Sequence, residues 1–449
     1  MKDLTQGKIG MGIIHFAVPV ILGQVIQQLY TVTDSIIVGR YIGDEALAAV
    51  GASFPIIFLL ISLIVGISGG TTILISQYYG AKQFDKINQA IQTLTIYLFF
   101  SSILIAVLGI VFCESIFRFM NLPEAIIPEA TTYLTVYWYG LIGLFGYYGM
   151  SAVLRGLGDS KTPLYVLIIS SVVNVVLDII FIAYLDMGIA GAAYATIISQ
   201  ISTFIGLIIF LNRRHEFVKI SLWNNAFNMK IFLSSIRIGL PSGIQQAFVA
   251  LGSIALLKIV SSFDNSDLVA AYVAAIRIDM FATVPAMAIA TAVSTFVGQN
   301  IGANKLDRVQ KGYQFSMLFS VVTSLLLTVC VICFKHTIMG LFTQNTAIID
   351  FGADYLTITA IFYFAYGILF TNNGVLRGAG DTIIPMFITL FALWVVRIPL
   401  AYYFSQHWGI VGIWWAIPAG TCFGMLLSYF YYKTGRWKKN VSKYTNFAD

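Results

Sequence analysis

Residues 13–39 read IIHFAVPVILGQVIQQLYTVTDSIIVG. The run is long enough to cross a bilayer, since about 20 helical residues span the hydrocarbon core. It nevertheless carries Gln24, Gln28, Thr31 and Asp34 at helical spacing, so one face is polar. A carboxylate in a spanning helix costs about 2.5–3.5 kcal/mol on insertion scales and therefore faces a cavity or a partner. Pro19, a turn before Gln24, removes a backbone hydrogen bond and marks a place where the helix can bend.

Outward from this stretch the same pattern recurs. The chain has 449 residues, 58% hydrophobic and 10% charged. Soluble domains carry about 25% charged residues, so this composition predicts a polytopic all-α membrane protein. Twelve apolar segments are expected, near 12–39, 47–79, 89–112, 130–154, 163–185, 189–211, 233–260, 268–300, 311–334, 349–376, 383–405 and 410–432. The first is too long, and too polar on one face, for a signal peptide. Lys82, Lys86, Arg155, Lys161, Arg213, Lys230, Lys305, Arg308, Arg377 and Lys433 fall on the side of both termini, whereas the opposite side holds Arg40, Arg118, Lys258 and Lys335. The bias places both termini in the cytoplasm of a multi-pass cell-membrane protein. The net charge of +6 then reflects topology rather than nucleic-acid binding, and the tail at 433–449 suits anionic headgroups.

An internal repeat at an offset of 222 residues organises the chain. Pro19 matches Pro241, Gln24 matches Gln246, and Gln77, Gly80, Ala81 and Asp85 match Gln299, Gly302, Ala303 and Asp307. Leu154-Arg155-Gly156-x-Gly158-Asp159 matches Leu376-Arg377-Gly378-x-Gly380-Asp381. Each half holds six spans, an even number, so the halves are predicted to be parallel lobes related by a pseudo-twofold axis along the membrane normal. The expected division is an N-terminal lobe at 1–211, a cytoplasmic linker at 212–232, a C-terminal lobe at 233–432 and the basic tail at 433–449.

The repeat also separates scaffold from chemistry. Residues kept in both halves read as scaffold, whereas residues polar in one half alone are functional candidates. Asp34, Asn174, Asp178 and Thr196 map onto Leu256, Val396, Leu400 and Pro418 (Ile417 with a one-residue slip), so the second half lacks the whole polar set. At ~1.5 Å per residue, Asp178 and Thr196 each lie about 10 Å from the outer end of their spans, and Asp34 roughly 8 Å from its own. Asn174 and Asp178, four residues apart, share a face. Two carboxylates, an amide and a hydroxyl at one level form an all-oxygen site that suits H⁺, or Na⁺ with water. The plainer readings are an interfacial helix-end acid for Asp34 and an interhelical hydrogen bond for Asn174 and Asp178.

Other signals read as structure. Arg277 and Asp279 lie two apart, off a common helical face, and serve either a buried partner or substrate. Arg397, beside Pro399, reads as a structural cation with a carbonyl or carboxylate partner. Gly66-Ile67-Ser68-Gly69-Gly70 fits G-x-S-x-G but lies mid-span without a preceding strand, so close helix packing is expected rather than hydrolysis. Gly140, Gly143, Gly146 and Gly149 read likewise. Cys330 and Cys333 form a C-x-x-C in an apolar run and are assigned to packing. Without a Walker A sequence or a His/Cys cluster, no catalytic residues and no cofactor are assigned beyond a coupling ion.

Together, P-x4-Q-x9-D-x4-GR at Pro19, Gln24, Asp34, Gly39 and Arg40, ALAAVG at 46–51, Q-x2-G-A at 77–81 and 299–303, and the two LRGxGD loops resemble the multidrug and toxic compound extrusion (MATE) transporters. The match covers nearly the whole chain and looks like the DNA-damage-inducible F (DinF) branch. That branch implies a cation site in the N-terminal lobe at Asp34, Asn174, Asp178 and Thr196, a hinge at Pro19, and cavity positions at Gln27 and Tyr133. The other main branch carries acids in spans 7 and 10; here span 7 has none, and the span 10 region has Asn372-Asn373 instead.

The expected function is a monomeric, H⁺- or Na⁺-coupled antiporter that exports amphipathic, often cationic drugs and toxic compounds by alternating access. A lipid-linked oligosaccharide or lipid flippase is the alternative, and it calls for a more basic cavity than Arg277, Arg397 and Lys258 supply.

Overall fold

A computed structural model describes residues 3–214 and 226–438. Among these, every regular element is helical. In chain order they are α1 (Ile9–Tyr41), α2 (Asp44–Gly80), α3 (Phe84–Phe119), α4 (Ile127–Tyr139), α5 (Leu141–Gly156), α6 (Lys161–Asp178) and α7 (Gly188–Arg214). There follow α8 (Met229–Ser261), α9 (Ser266–Gly302), α10 (Leu306–Gly340), α11 (Thr346–Ala360), α12 (Tyr363–Gly378), α13 (Ile383–Leu390) and α14 (Ile398–Lys433). Among the described residues, nine helical stretches are by themselves long and apolar enough to cross a membrane.

The twelve spans emerge once three breaks are recognised. The fourth span is α4 and α5, interrupted at Gly140. The tenth is α11 and α12, bent by 50°. The last long rod holds two spans, because Gly409 takes φ 61°, a left-handed conformation that glycine adopts without a side-chain penalty. Gly140 plus the repeat offset lands on Phe362, between α11 and α12, so both halves break their fourth span at one place. Twelve spans in two six-helix lobes is the fold of this chain.

Contacts divide the molecule into two compact units. One comprises Leu22–Leu240; the other joins Pro241 onward to the segment ending at Ile21. The seams fall two residues after Pro19 and just before Pro241, the repeat-related prolines. The expected linker at 212–232 and tail at 433–449 lie largely outside the described residues, at 215–225 and 439–449.

Each unit is therefore completed by the early part of a first span. In the first unit, residues 229–240 of α8 cross α2 at backbone distance. A Cβ on Gly70 would lie 2.1 Å from the Ser235 carbonyl oxygen, and one on Gly239 would lie 2.5 Å from that of Gly66. Thr71 donates to Ser235 across the crossing at 3.2 Å. The G-x-S-x-G run is thus the floor of a helix crossing, as its place in mid-span suggested. In the second unit the start of α1 fills the corresponding place, with Ile13, Phe16 and Ala17 buried against Ile289, Ala292 and Val293.

The repeated loops are built alike. Gly158 (φ 85°) and Gly380 (φ 82°) let Asp159 and Asp381 donate their backbone N–H to Leu154 and Leu376. The Asp159 carboxylate then accepts from the backbone N–H groups of Lys161 and Thr162, both at 3.0 Å, capping the start of α6. Asp381 instead accepts from the Tyr431 hydroxyl at 2.6 Å.

Gly70→Ala tests the crossing. Its methyl group meets carbonyl oxygen rather than a side chain that can turn aside, so a lower unfolding temperature and a smaller monodisperse fraction on gel filtration are expected. A wild-type unfolding temperature would contradict the crossing.

Candidate functional site

The first unit brings together the residues that the repeat singled out. Asp34 comes from α1, Asn174 and Asp178 from the last turns of α6, and Thr196 from α7. Asn174 and Asp178 are completely buried, and Asp34 and Thr196 nearly so. Glycines set the position of Thr196. A Cβ on Gly140 would lie 2.1 Å from Ile197, and one on Gly143 would lie 3.0 Å from the backbone nitrogen of Ile201, so α5 and α7 pack almost backbone to backbone. Directly after Asp178 the helix widens into a π turn, Ile179–Tyr184, a departure that recurs at functional sites.

Asn174 ties α6 to α7. Its amide lies 3.4 Å from Thr196 Oγ1; turned so that its nitrogen faces the carboxylate, it donates to Asp178 Oδ2 at 2.9 Å and accepts from the Thr196 backbone N–H at 3.2 Å. The Asp34 and Asp178 side chains are within hydrogen-bonding reach of each other. One oxygen of each carboxyl, Oδ1 in both cases, is buried with no hydrogen-bond partner. Other buried atoms, such as the Ser68 and Thr371 hydroxyls, also lack partners, but here the unpartnered oxygens belong to two adjacent acids. Two adjacent carboxylates repel unless a proton or a cation lies between them.

Sequence reasoning missed Tyr30. Its hydroxyl lies 3.4 Å from Thr196 Oγ1, closing the ring of polar groups from α1 to α7. The signal was available, because Tyr30 stands four residues before Asp34 and so shares its face. The stripe drawn through Gln28 and Thr31 is displaced from that face. Gln28 is exposed, and Thr31 bonds back to the Gln27 carbonyl at 3.1 Å. Gln27 and Tyr30 line a small cavity of about 40 Å³ with Tyr147, Tyr148, Ser199 and Gln200. That volume suits a water or two and not a drug. Tyr133 is buried in an aromatic pair with Tyr137 (ring centroids 6.3 Å apart), and both lie within electrostatic range of Asp34.

Pro19 is buried inside an unbroken α1. Having no N–H, it leaves the backbone ladder one bond short there.

The remaining two candidates do not come together. Arg277 is exposed, whereas Asp279, two residues on, is buried in the second unit. The Asp279 carboxylate accepts from Tyr355 at 2.7 Å, from Thr359 at 3.4 Å and from Tyr363, which ties α9 to both halves of the bent tenth span. Arg397 has hydroxyls as partners, Thr421 at 2.6 Å and Tyr366 at 3.3 Å, in place of the expected carbonyl or carboxylate. Asn372 is likewise committed to packing, accepting from Tyr313 and donating to Ser428, both at 3.0 Å.

Known proteins share this architecture. The family model MatE matches twice, over residues 19–180 and 241–403, the two halves of the repeat. The probable multidrug resistance protein YoeA of Bacillus subtilis (strain 168) is 32% identical, over 95% of this chain and 94% of its own length. The probable multidrug resistance protein YpnP of the same organism is 33% identical, over 97% of each chain. Among solved structures, MATE in the bent conformation superposes with a TM-score of 0.91 at 25% identity, covering 98% of both chains. The chain is a multi-span membrane transporter rather than an enzyme, and it belongs to the MatE family, the multidrug and toxic compound extrusion transporters.

The Asp279 cluster generates a stability prediction. Hydrogen bonds to a charged group contribute about 1.5–3 kcal/mol each, so Tyr355→Phe is expected to lower the unfolding temperature measured in detergent by tryptophan fluorescence. An unchanged midpoint would show that the hydroxyl adds nothing.

Proposed function

We propose that this chain is a cation-coupled antiporter that exports amphipathic, often cationic drugs from the cytoplasm across the cell membrane, with the Asp34–Asp178 pair as its coupling site. The observation that carries the reading is the buried contact of two carboxyls, each with an unsatisfied oxygen, in one half of a repeated chain. Multidrug resistance relatives that cover nearly the whole chain support the cargo class. The DinF-branch resemblance supports the same four residues.

The chemistry follows from charge. With a proton shared by the pair, the site carries one negative charge fewer and holds a cationic cargo less tightly. With both carboxyls ionised, the pair attracts either cargo or a replacement cation. Na⁺ could be held by the free oxygens of Asp34 and Asp178 together with the Thr196 and Tyr30 hydroxyls. Asn174 positions Asp178 rather than binding the ion, since its amide is already engaged on both sides. Pro19 is the proposed hinge through which the charge state of Asp34 reaches the shape of α1. One elementary charge crossing 100 mV supplies about 2.3 kcal/mol, enough to drive accumulation against a gradient.

The test is transport in proteoliposomes with H⁺ and Na⁺ gradients imposed separately, using a panel of dyes and antibiotics. Gradient-driven export is expected in the wild type. Asp34→Asn and Asp178→Asn should each lower it by about tenfold or more, a typical coupling free energy. Both variants exporting at wild-type rates under every gradient would remove the mechanism.

A further inference from the structure

Away from the carboxyl pair, the second unit carries a groove of about 430 Å³ between the first part of α10 and the last turns of α14. Neither the carboxyl chemistry nor the Asp279 cluster uses it. Its walls are graded along α10. Gln310 and Gln314 stand near the start of α10, and Leu318 and Val321 follow at helical spacing on the same helix. At ~1.5 Å per residue the lining runs from about 6 Å to about 22 Å along the helix, from headgroup depth into the acyl region. Opposite the glutamines, Tyr432 and Lys433 close the end of α14.

The polar end is built rather than frayed. Tyr432 stacks on Tyr313 at 3.9 Å between centroids and on Trp437 at 5.6 Å, and Trp437 donates to the Tyr432 carbonyl at 3.1 Å. Trp437 and Tyr313 are both buried, so this aromatic wall is anchored in the core. Such rings sit at the headgroup level of membranes. Lys433 Nζ is held 5.5 Å from the Tyr429 ring centroid, and no carboxylate pairs with it among the described residues. At the other end Leu318 is 65% exposed, which in a membrane chain means exposed to lipid.

We propose that this groove is a binding site for an anionic phospholipid of the cytoplasmic leaflet. The phosphate headgroup pairs with Lys433 between the glutamine amides, and the first acyl segment lies along Leu318 and Val321. Charge decides among occupants. A cationic drug meets an unpaired ammonium and is repelled, whereas basic pockets between spanning helices on the cytoplasmic side suit anionic headgroups. The leaflet follows from the clustering of Lys433, Arg436 and Lys438 at that end of α14.

Native mass spectrometry of the full-length protein in detergent tests this, with phosphatidylglycerol and phosphatidylcholine of identical acyl chains titrated in separately. The wild type should retain one phosphatidylglycerol more tightly than phosphatidylcholine. Lys433→Gln should weaken that retention by about fivefold, the effect expected of one lysine near an anionic surface. Val321→Trp, which fills the apolar end without altering charge, should also weaken it, while Arg213→Gln in the other unit should not. Should Val321→Trp fail to fold, Lys433→Gln with its comparison of the two lipids decides alone. Equal retention of both lipids by the wild type, or unchanged phosphatidylglycerol retention in Lys433→Gln, would overturn the proposal. Displacement by millimolar inorganic phosphate would also overturn it, by showing a site for the free anion.

Discussion

Two carboxyls placed in contact at membrane depth are the constraint around which this molecule is arranged. Neither can be ionised at low cost away from water, and both cannot be ionised side by side without a counter-charge. Keeping such a pair requires a scaffold that holds it rigidly. Here it consists of glycine-lined packing of α5 on α7, an amide that fixes Asp178, and a tyrosine that fixes Thr196. The second half of the repeat shows what happens without the pair. At the corresponding positions Leu256 and Leu400 pack in the core, and the buried acid Asp279 is hydrogen-bonded by hydroxyl donors from neighbouring helices.

That contrast assigns different work to the carboxyl pair and to Asp279. Asp34 and Asp178 each keep an oxygen without a hydrogen-bond partner. The Asp279 carboxylate has both oxygens occupied by side chains that also brace the bend of the tenth span, which makes it a fastening. Burial alone does not distinguish these roles, because all three acids are buried. Hydrogen-bond accounting does.

Much of this was legible in the sequence, and for identifiable reasons. Length and hydropathy set the twelve spans, and a gap-free repeat exposed the asymmetric polar set. The rise of an α-helix then placed Asp34, Asp178 and Thr196 at one depth. What escaped depended on direction rather than depth. Tyr30 stands outside the stripe read through Gln24, Gln28, Thr31 and Asp34, although its hydroxyl completes the ring at Thr196. The opposite directions of Arg277 and Asp279, by contrast, were legible in their two-residue spacing. The break at Gly140 and the exchange of first-span segments at Pro19 and Pro241 arise from tertiary packing, which periodicity does not encode.

The central claim is that Asp34 and Asp178 hold one exchangeable cation between them. Infrared difference spectroscopy of the reconstituted protein across a pH or Na⁺ step addresses it most directly, because a protonated carboxyl has its own carbonyl stretch. The account predicts a protonated-carboxyl band that disappears as pH rises or Na⁺ is added, and that is missing from Asp34→Asn and from Asp178→Asn alike. The same band with the same response in either variant would contradict it.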